Sequence, residues 1–208
     1  MSGLVASHTP VSTQLPAVSV RLHLPPPLDR ELTLETAELT TLRDGDAVVA
    51  SARSAPTPAG ERPQTPTLEE ARDAMTRAIT AAQHPFPTCY GCGPLHPSGL
   101  RLAAGSVDGD SNRYAAVWTP REAAAPEVWA ALDCPGGKAA GFPTTLMVLG
   151  TMTAQVFSPP VVREEHIVLS WSRGDDGRKR HAASALFTAD GQLLARADQT
   201  WIAIDQPA

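Results

Sequence analysis

Asp133 and Cys134 stand side by side, and Pro135-Gly136-Gly137 follows at once, within the stretch VWAALDCPGGKAAGF at residues 128–142. Proline is favoured at the first position of a helix, where its missing N–H is no loss, and an Asp or Cys just before it can serve as the cap. The segment is therefore expected to be helical from about Pro135. A helix start offers unpaired N–H donors and the positive end of a dipole, so the Gly136 and Gly137 amides could hold a developing oxyanion. Lacking Cβ atoms, they would let a carbonyl approach closely; the alternative is a helix start packed tightly against a sheet. Asp133 is the carboxylate best placed to act as a base, and as a plain N-cap it needs no other role. The dipole that stabilises its charge also lowers its basicity, so a working base there requires desolvation. Cys134 could be a thiolate, yet no base is written beside it, and a small buried residue is the simpler reading.

Other chemistry-bearing residues are scattered. His181 falls in an extended segment, where it could donate a proton to a substrate or be a satisfied structural residue. Arg178 and Lys179, in the basic cluster GRKR at 177–180, could meet a phosphate or simply be solvated at a turn. Cys89-x-x-Cys92 followed by Gly93 has the shape of half a zinc knuckle. Four ligands would be needed and no second CxxC exists, so Cys134, His84 or His96 would have to converge on it. A Pro- and Gly-rich loop with two small buried residues is the expectation, with no metal and no cofactor.

The elements that must position these residues are mostly strands. AVSVRLHL, ELTLETAELT and DAVVASARS, between residues 17 and 54, alternate and are punctuated by Pro25-Pro26-Pro27 and Asp44-Gly45, which predicts three antiparallel strands. Residues 55–66 form a proline-rich linker. A helix follows from Thr67, which forms a capping box with Glu70 and places Leu68, Ala71, Met75, Ala78, Ile79 and Ala82 on one face. Strands are expected at Leu100 to Ala103 and Arg113 to Trp118. Beyond the central helix, strands run from Thr145 towards Phe157 and through EHIVLSWSRG, KRHAASALFTAD and QLLARADQTWIAI. The order strand, prolines, Arg30 or Arg163, strand, Asp-Gly turn, strand occurs twice, which suggests a repeat whose first copy lacks the preceding strand and long helix.

Composition narrows the function. A chain of 208 residues can bury a core without staples, and its three cysteines argue for a reducing cytoplasm rather than a disulfide framework. Neither a signal peptide nor a membrane span is written in the sequence, so a soluble protein with no membrane partner is expected. With 17 Lys and Arg against 22 Asp and Glu, and a net charge of −5, nucleic acid is an unsuitable partner.

Two strands, a central helix with a Gly-rich start and four long antiparallel strands are the order of the hotdog fold. Through CYGCGPLHPSGLRL, VWAALDCPGGKAAGF, LGTMTAQV, GRKRHAASALFTADGQLLA and TWI, the sequence resembles an actinobacterial group of the thioesterase-like superfamily. The resemblance implies an α+β degenerate double hotdog: a truncated N-terminal half and linker at 1–66, a bridging helix and loop at 67–87, and a complete hotdog at 88–208. It further implies acyl thioesters, usually of coenzyme A, bound between units, with a backbone N–H at the central helix start polarising the carbonyl and a carboxylate as base or nucleophile. Asp133 lies before the expected helix, whereas many hotdog thioesterases carry their acid inside it. The expectation is an acyl-thioester hydrolase using Asp133, Gly136, Gly137 and His181, with Arg178, Lys179 and Cys134 toward the substrate. A non-catalytic hotdog binding an acyl chain or small hydrophobic metabolite, or a hotdog lyase, are the alternatives. A homodimer is possible.

Overall fold

Alternating side chains write most of one large sheet in this computed structural model, which describes residues 1–204. The N-terminal quarter supplies β1 (Ala17–Leu22), β2 (Thr33–Glu35), β3 (Thr40–Asp44) and β4 (Ala47–Ala55). The rest supplies β5 (Gly105–Val107), β6 (Asp110–Trp118), β7 (Met147–Val156), β8 (His166–Asp176), β9 (Lys179–Thr188) and β10 (Leu193–Ala203). Their spatial order is β2-β3-β4-β1-β7-β10-β9-β8-β6-β5, paired antiparallel.

The sheet carries the repeat that the sequence suggests. β1-β4-β3-β2 on one side of the β1–β7 pairing mirrors β7-β10-β9-β8 on the other. Val18 sits opposite Ala154 and Val20 opposite Met152 at that junction. The matching turns share backbone geometry: Gly45 and Gly191 both have positive φ, at 57° and 88°, a region that glycine enters without strain. Where the copies carry Arg30 and Arg163, Asp29 and Arg163 take the left-handed conformation, with φ of 55° and 68°.

Three helices cover the sheet: α1 (Ser2–Ser7), α2 (Leu68–Thr76) and α3 (Ala125–Ala139). The short α1 occupies the sequence position of the first copy's missing long helix, and it packs closely on α3, where a Cβ on Gly3 would fall 2.6 Å from Pro126 Cα. The degenerate double hotdog is thus one continuous sheet with one full-length central helix.

The sheet is buried on both sides along β8 and β9. On the inner face, Val168, Ala182 and Leu186 join Leu132, Val128 and Trp129 of α3 in one core. On the outer face, Ile167, Trp171, Ala185 and Phe187 pack with Ala71 and Ala74 of α2 in a second core. The proline-rich linker lies across this outer face. Arg196 donates to the Gly60 and Ala59 carbonyls at 3.0 and 2.7 Å, Arg173 to Ala59 at 2.9 Å and Arg113 to Gln64 at 3.1 Å. Arg62 sits over the Phe187 ring at 4.8 Å.

Several local expectations change. The N-terminal sheet has four strands, not three, because the chain breaks between Glu35 and Thr40. The strand expected at Leu100 to Ala103 starts at Gly105 instead. The capping box of Thr67 and Glu70 is present, but α2 stops at Thr76, and a separate 3-10 turn at Ala81–Gln83 carries its own box from Thr80 to Gln83.

The largest correction concerns α3. It starts at Ala125, with Pro126 in its first turn and Glu127 at the positive dipole end, and Pro135 lies inside it. The interior proline leaves the Ala131 carbonyl, four residues before it, without its N–H donor. Buried side chains from the sheet meet the helix backbone at this point: Ser170 Oγ donates to the Pro135 carbonyl at 2.6 Å, while Ser184 Oγ and Gln199 Nε2 donate to the Leu132 carbonyl at 2.8 and 2.7 Å. The expected end of the second unit at residue 208 lies outside the described residues. Among the described residues no helix is long and apolar enough to cross a membrane.

Candidate functional site

A cavity of about 450 Å³ lies at the junction of the two halves. Leu22 to Pro26, which end β1 and open the first proline run, form one wall. α3, β7 and β10 form the other through Asp133, Gly137, Leu149 and Trp201, with Phe86 and Phe142 alongside. Its size is that of a small-molecule site, and its walls are mainly apolar. Asp133 is the one carboxylate among the described lining residues.

Asp133 faces this space from the middle of α3 and is half-buried. Burial pushes its carboxyl up to about 7, and the negative charge of Cys89 adds to the rise against the opposing chain N-terminus. The helix start plays no part in this. At ~1.5 Å rise per residue, the first-turn N–H groups lie roughly 12 Å along the axis from Asp133.

Gly136 and Gly137 therefore do not stand at a helix N-terminus. They lie near the C-terminal end of α3, inside its hydrogen-bonded run. Their missing side chains serve packing: a Cβ on Gly136 would fall 1.7 Å from Gln199 Oε1, and one on Gly137 would fall 3.1 Å from the Trp201 ring. The tight-packing alternative is the one that the geometry supports.

The three cysteines do converge. Cys134 reaches from α3 to the loop carrying Cys89 and Cys92, with Cys89 and Cys134 Sγ 3.5 Å apart and all three sulfurs within 4.8 Å of one another. All three are free thiols and all line the cavity. Hydrogen bonding with Cys134 and Cys92 holds the Cys89 thiol far below the ordinary range, while the same contacts and burial raise Cys134.

Of the two histidines that were candidates to join them, His96 makes an edge contact with Tyr90 on the loop surface, and His84 is buried nearby with Nδ1 accepting from the Phe86 N–H at 3.1 Å.

The remaining expected residues lie elsewhere. His181 is on β9 with odd-numbered neighbours Ala183 and Ala185, which face away from α3, and it contacts Thr200 at 3.3 Å. The sheet separates it from Asp133. Arg178 sits at the β8–β9 turn and donates to the Ala203 carbonyl at 3.0 and 3.2 Å; Lys179 beside it is exposed. Neither lines the cavity.

His23 lines the cavity and was not foreseen from the sequence. Its Nε2 lies 2.8 Å from Ser51 Oγ, which orients the ring. Nothing local marks it, because its position depends on β1 pairing with β7 more than a hundred residues away.

No protein-family model matches the sequence, and no curated protein is significantly similar to it. Solved structures do match. The tesB protein of Mycobacterium avium subspecies paratuberculosis superposes with a TM-score of 0.55 at 13% identity, over 91% of this chain and 78% of its own. The acyl-CoA thioesterase II TesB2 of Mycobacterium marinum gives 0.56 at 10% identity, over 93% and 81%. A conserved protein of unknown function with a hot dog fold from Alicyclobacillus acidocaldarius gives 0.56 at 14% identity, over 93% and 80%. The chain has the hotdog fold across most of its length.

Proposed function

We propose that the protein hydrolyses acyl thioesters, those of coenzyme A foremost, with the acyl group in the cavity between its two halves. The observation that carries this reading is the place of Asp133, a lone carboxylate on an apolar wall at the junction of two hotdog units. Asp133 takes a proton from water as the water oxygen attacks the acyl carbon; the C–S bond then breaks, releasing the acid and the thiol. Gly136 and Gly137 lie inside the hydrogen-bonded run of α3 and take no part in holding the carbonyl.

A panel of acyl-CoA substrates with free-thiol detection tests the reading. Asp133→Asn, nearly isosteric, should lower turnover by about a hundredfold or more while circular dichroism is unchanged. Full thioesterase activity in that variant eliminates Asp133 as the base. A non-catalytic acyl-binding protein is the second reading, favoured by the distance between the α3 start and Asp133. Saturable binding of acyl-CoA by calorimetry with no thiol release from any substrate would select it.

A further inference from the structure

The cysteine cluster has a geometry that acyl-thioester hydrolysis does not require. Two of its sulfurs come from a tight loop. The Gly93 N–H donates to the Cys89 carbonyl at 2.8 Å, and a Cβ on Gly93 would fall 2.4 Å from Cys89 N, so the turn after Cys92 closes only with glycine. The loop is tied down on both sides: Leu100 N–H donates to the Tyr90 carbonyl at 2.8 Å and Leu102 N–H to the Gly91 carbonyl at 2.9 Å, while the Tyr90 hydroxyl donates to Glu127 on α3. It also rests on the third sulfur, since a Cβ on Gly91 would fall 2.7 Å from Cys134 Sγ.

Three thiolates held around a tetrahedral ion at ~2.3 Å would lie about 3.8 Å from one another. The observed separations, 3.5 Å for Cys89 to Cys134 and no more than 4.8 Å for any pair, bracket that value. An independent observation lies one helical turn on. Lys138, at i+4 from Cys134, is 4% exposed, its Nζ has no hydrogen-bond partner among the described residues, and it lies 4.6 Å over the Phe142 ring. A buried ammonium with no hydrogen-bond acceptor is costly. Three thiolates around a divalent cation carry a net charge of about −1, which answers it.

We propose that Cys89, Cys92 and Cys134 hold one thiophilic divalent cation, Zn²⁺ by ligand softness, with its fourth position open to the cavity. His84 is not the fourth ligand. Its Nδ1 accepts the Phe86 N–H, so its Nε2 carries the proton and has no lone pair to give. Asp133 lines the same cavity, but its carboxylate lies outside the group of three sulfurs that are within 4.8 Å of one another, so the fourth ligand is water or a group of the bound molecule. The site does not depend on whether the protein turns over thioesters.

Metal analysis of the full-length protein, purified with reductant and without chelator, should show one equivalent of zinc. The metal-free reduced protein should take up one Co²⁺ with intense sulfur-to-metal charge-transfer absorption and the visible bands of a tetrahedral site. Cys89→Ser, Cys92→Ser and Cys134→Ser should each lose the metal, whereas His84→Ala should retain it. Should the serine variants fail to fold, the wild-type protein still decides: chelator should expose three reactive thiols together for each zinc released. Failure of the reduced protein to take up either Zn²⁺ or Co²⁺ overturns the proposal. So does a Cys89–Cys134 disulfide found by mass spectrometry in protein prepared without oxidant.

Discussion

Gly136 has no room for a methyl group, and the reason is a single buried amide. A Cβ there would meet Gln199 Oε1, which accepts from Trp201 Nε1 at 2.8 Å while the same side chain donates to the Leu132 carbonyl and to Ser184. Gly136→Ala should destabilise the protein by about 1 to 3 kcal/mol, the usual range for overpacking, measured by urea unfolding. Unchanged stability with lost turnover would return Gly136 to the chemistry. Of the residues that line the cavity, Asp133 and the three cysteines stood out in the sequence, whereas His23 did not, and the geometry that gathers them was not legible. Pro126 and Pro135 each offer a helix start by local rules. The structure uses Pro126 as the start and buries Pro135 inside α3, where Ser170, Ser184 and Gln199 bond the Pro135 and Leu132 carbonyls from 35, 52 and 67 residues away and carry no local mark.

At the scale of elements, signals confined to a few neighbouring residues read well. The α2 start is one: Thr67 Oγ1 accepts the Glu70 N–H at 3.2 Å, and Glu70 accepts the Thr67 N–H at 2.6 Å. Thr67→Ala should cost about 1 kcal/mol by chemical denaturation, the usual worth of a cap. The cost should also depend on pH. Hydrogen bonds from the Thr67 backbone and side chain hold the Glu70 carboxyl below its ordinary value, so its stabilisation is present above the unfolded-state pKa and is lost as pH falls through the lower folded one. The gap between wild type and Thr67→Ala should therefore be flat near neutrality and narrow in acid. A gap that widens in acid would contradict the ionised box. Element ends read less well, because the break between Glu35 and Thr40 and the stop at Thr76 are set by what each segment packs against rather than by its own periodicity.

For the whole molecule, the repeat was legible because matching turns and prolines survive even where side chains have diverged. What the chain order could not convey is that the truncated half is not an appendage. Val5, Val18, Leu42 and Ala50 share one core with Trp129, Leu132 and Leu149, and β1 continues the sheet beyond β7. Such a core should unfold as one unit although the chain exceeds the size at which two-state behaviour is usual. All four tryptophans, at 118, 129, 171 and 201, belong to the second half, and Trp129 packs in the core it shares with the first, so their fluorescence reports that half and its contact with the other. Far-ultraviolet circular dichroism reports both. The two urea transitions should coincide. Val20→Ala, which removes two methyl groups from a residue 1% exposed at the β1–β7 junction, should lower stability by about 2 kcal/mol and shift both signals together. Two separate transitions, the first carrying only part of the circular dichroism and tryptophan change, would show instead that the N-terminal half unfolds alone, and the wall of the cavity formed by Leu22 to Pro26 would open with it.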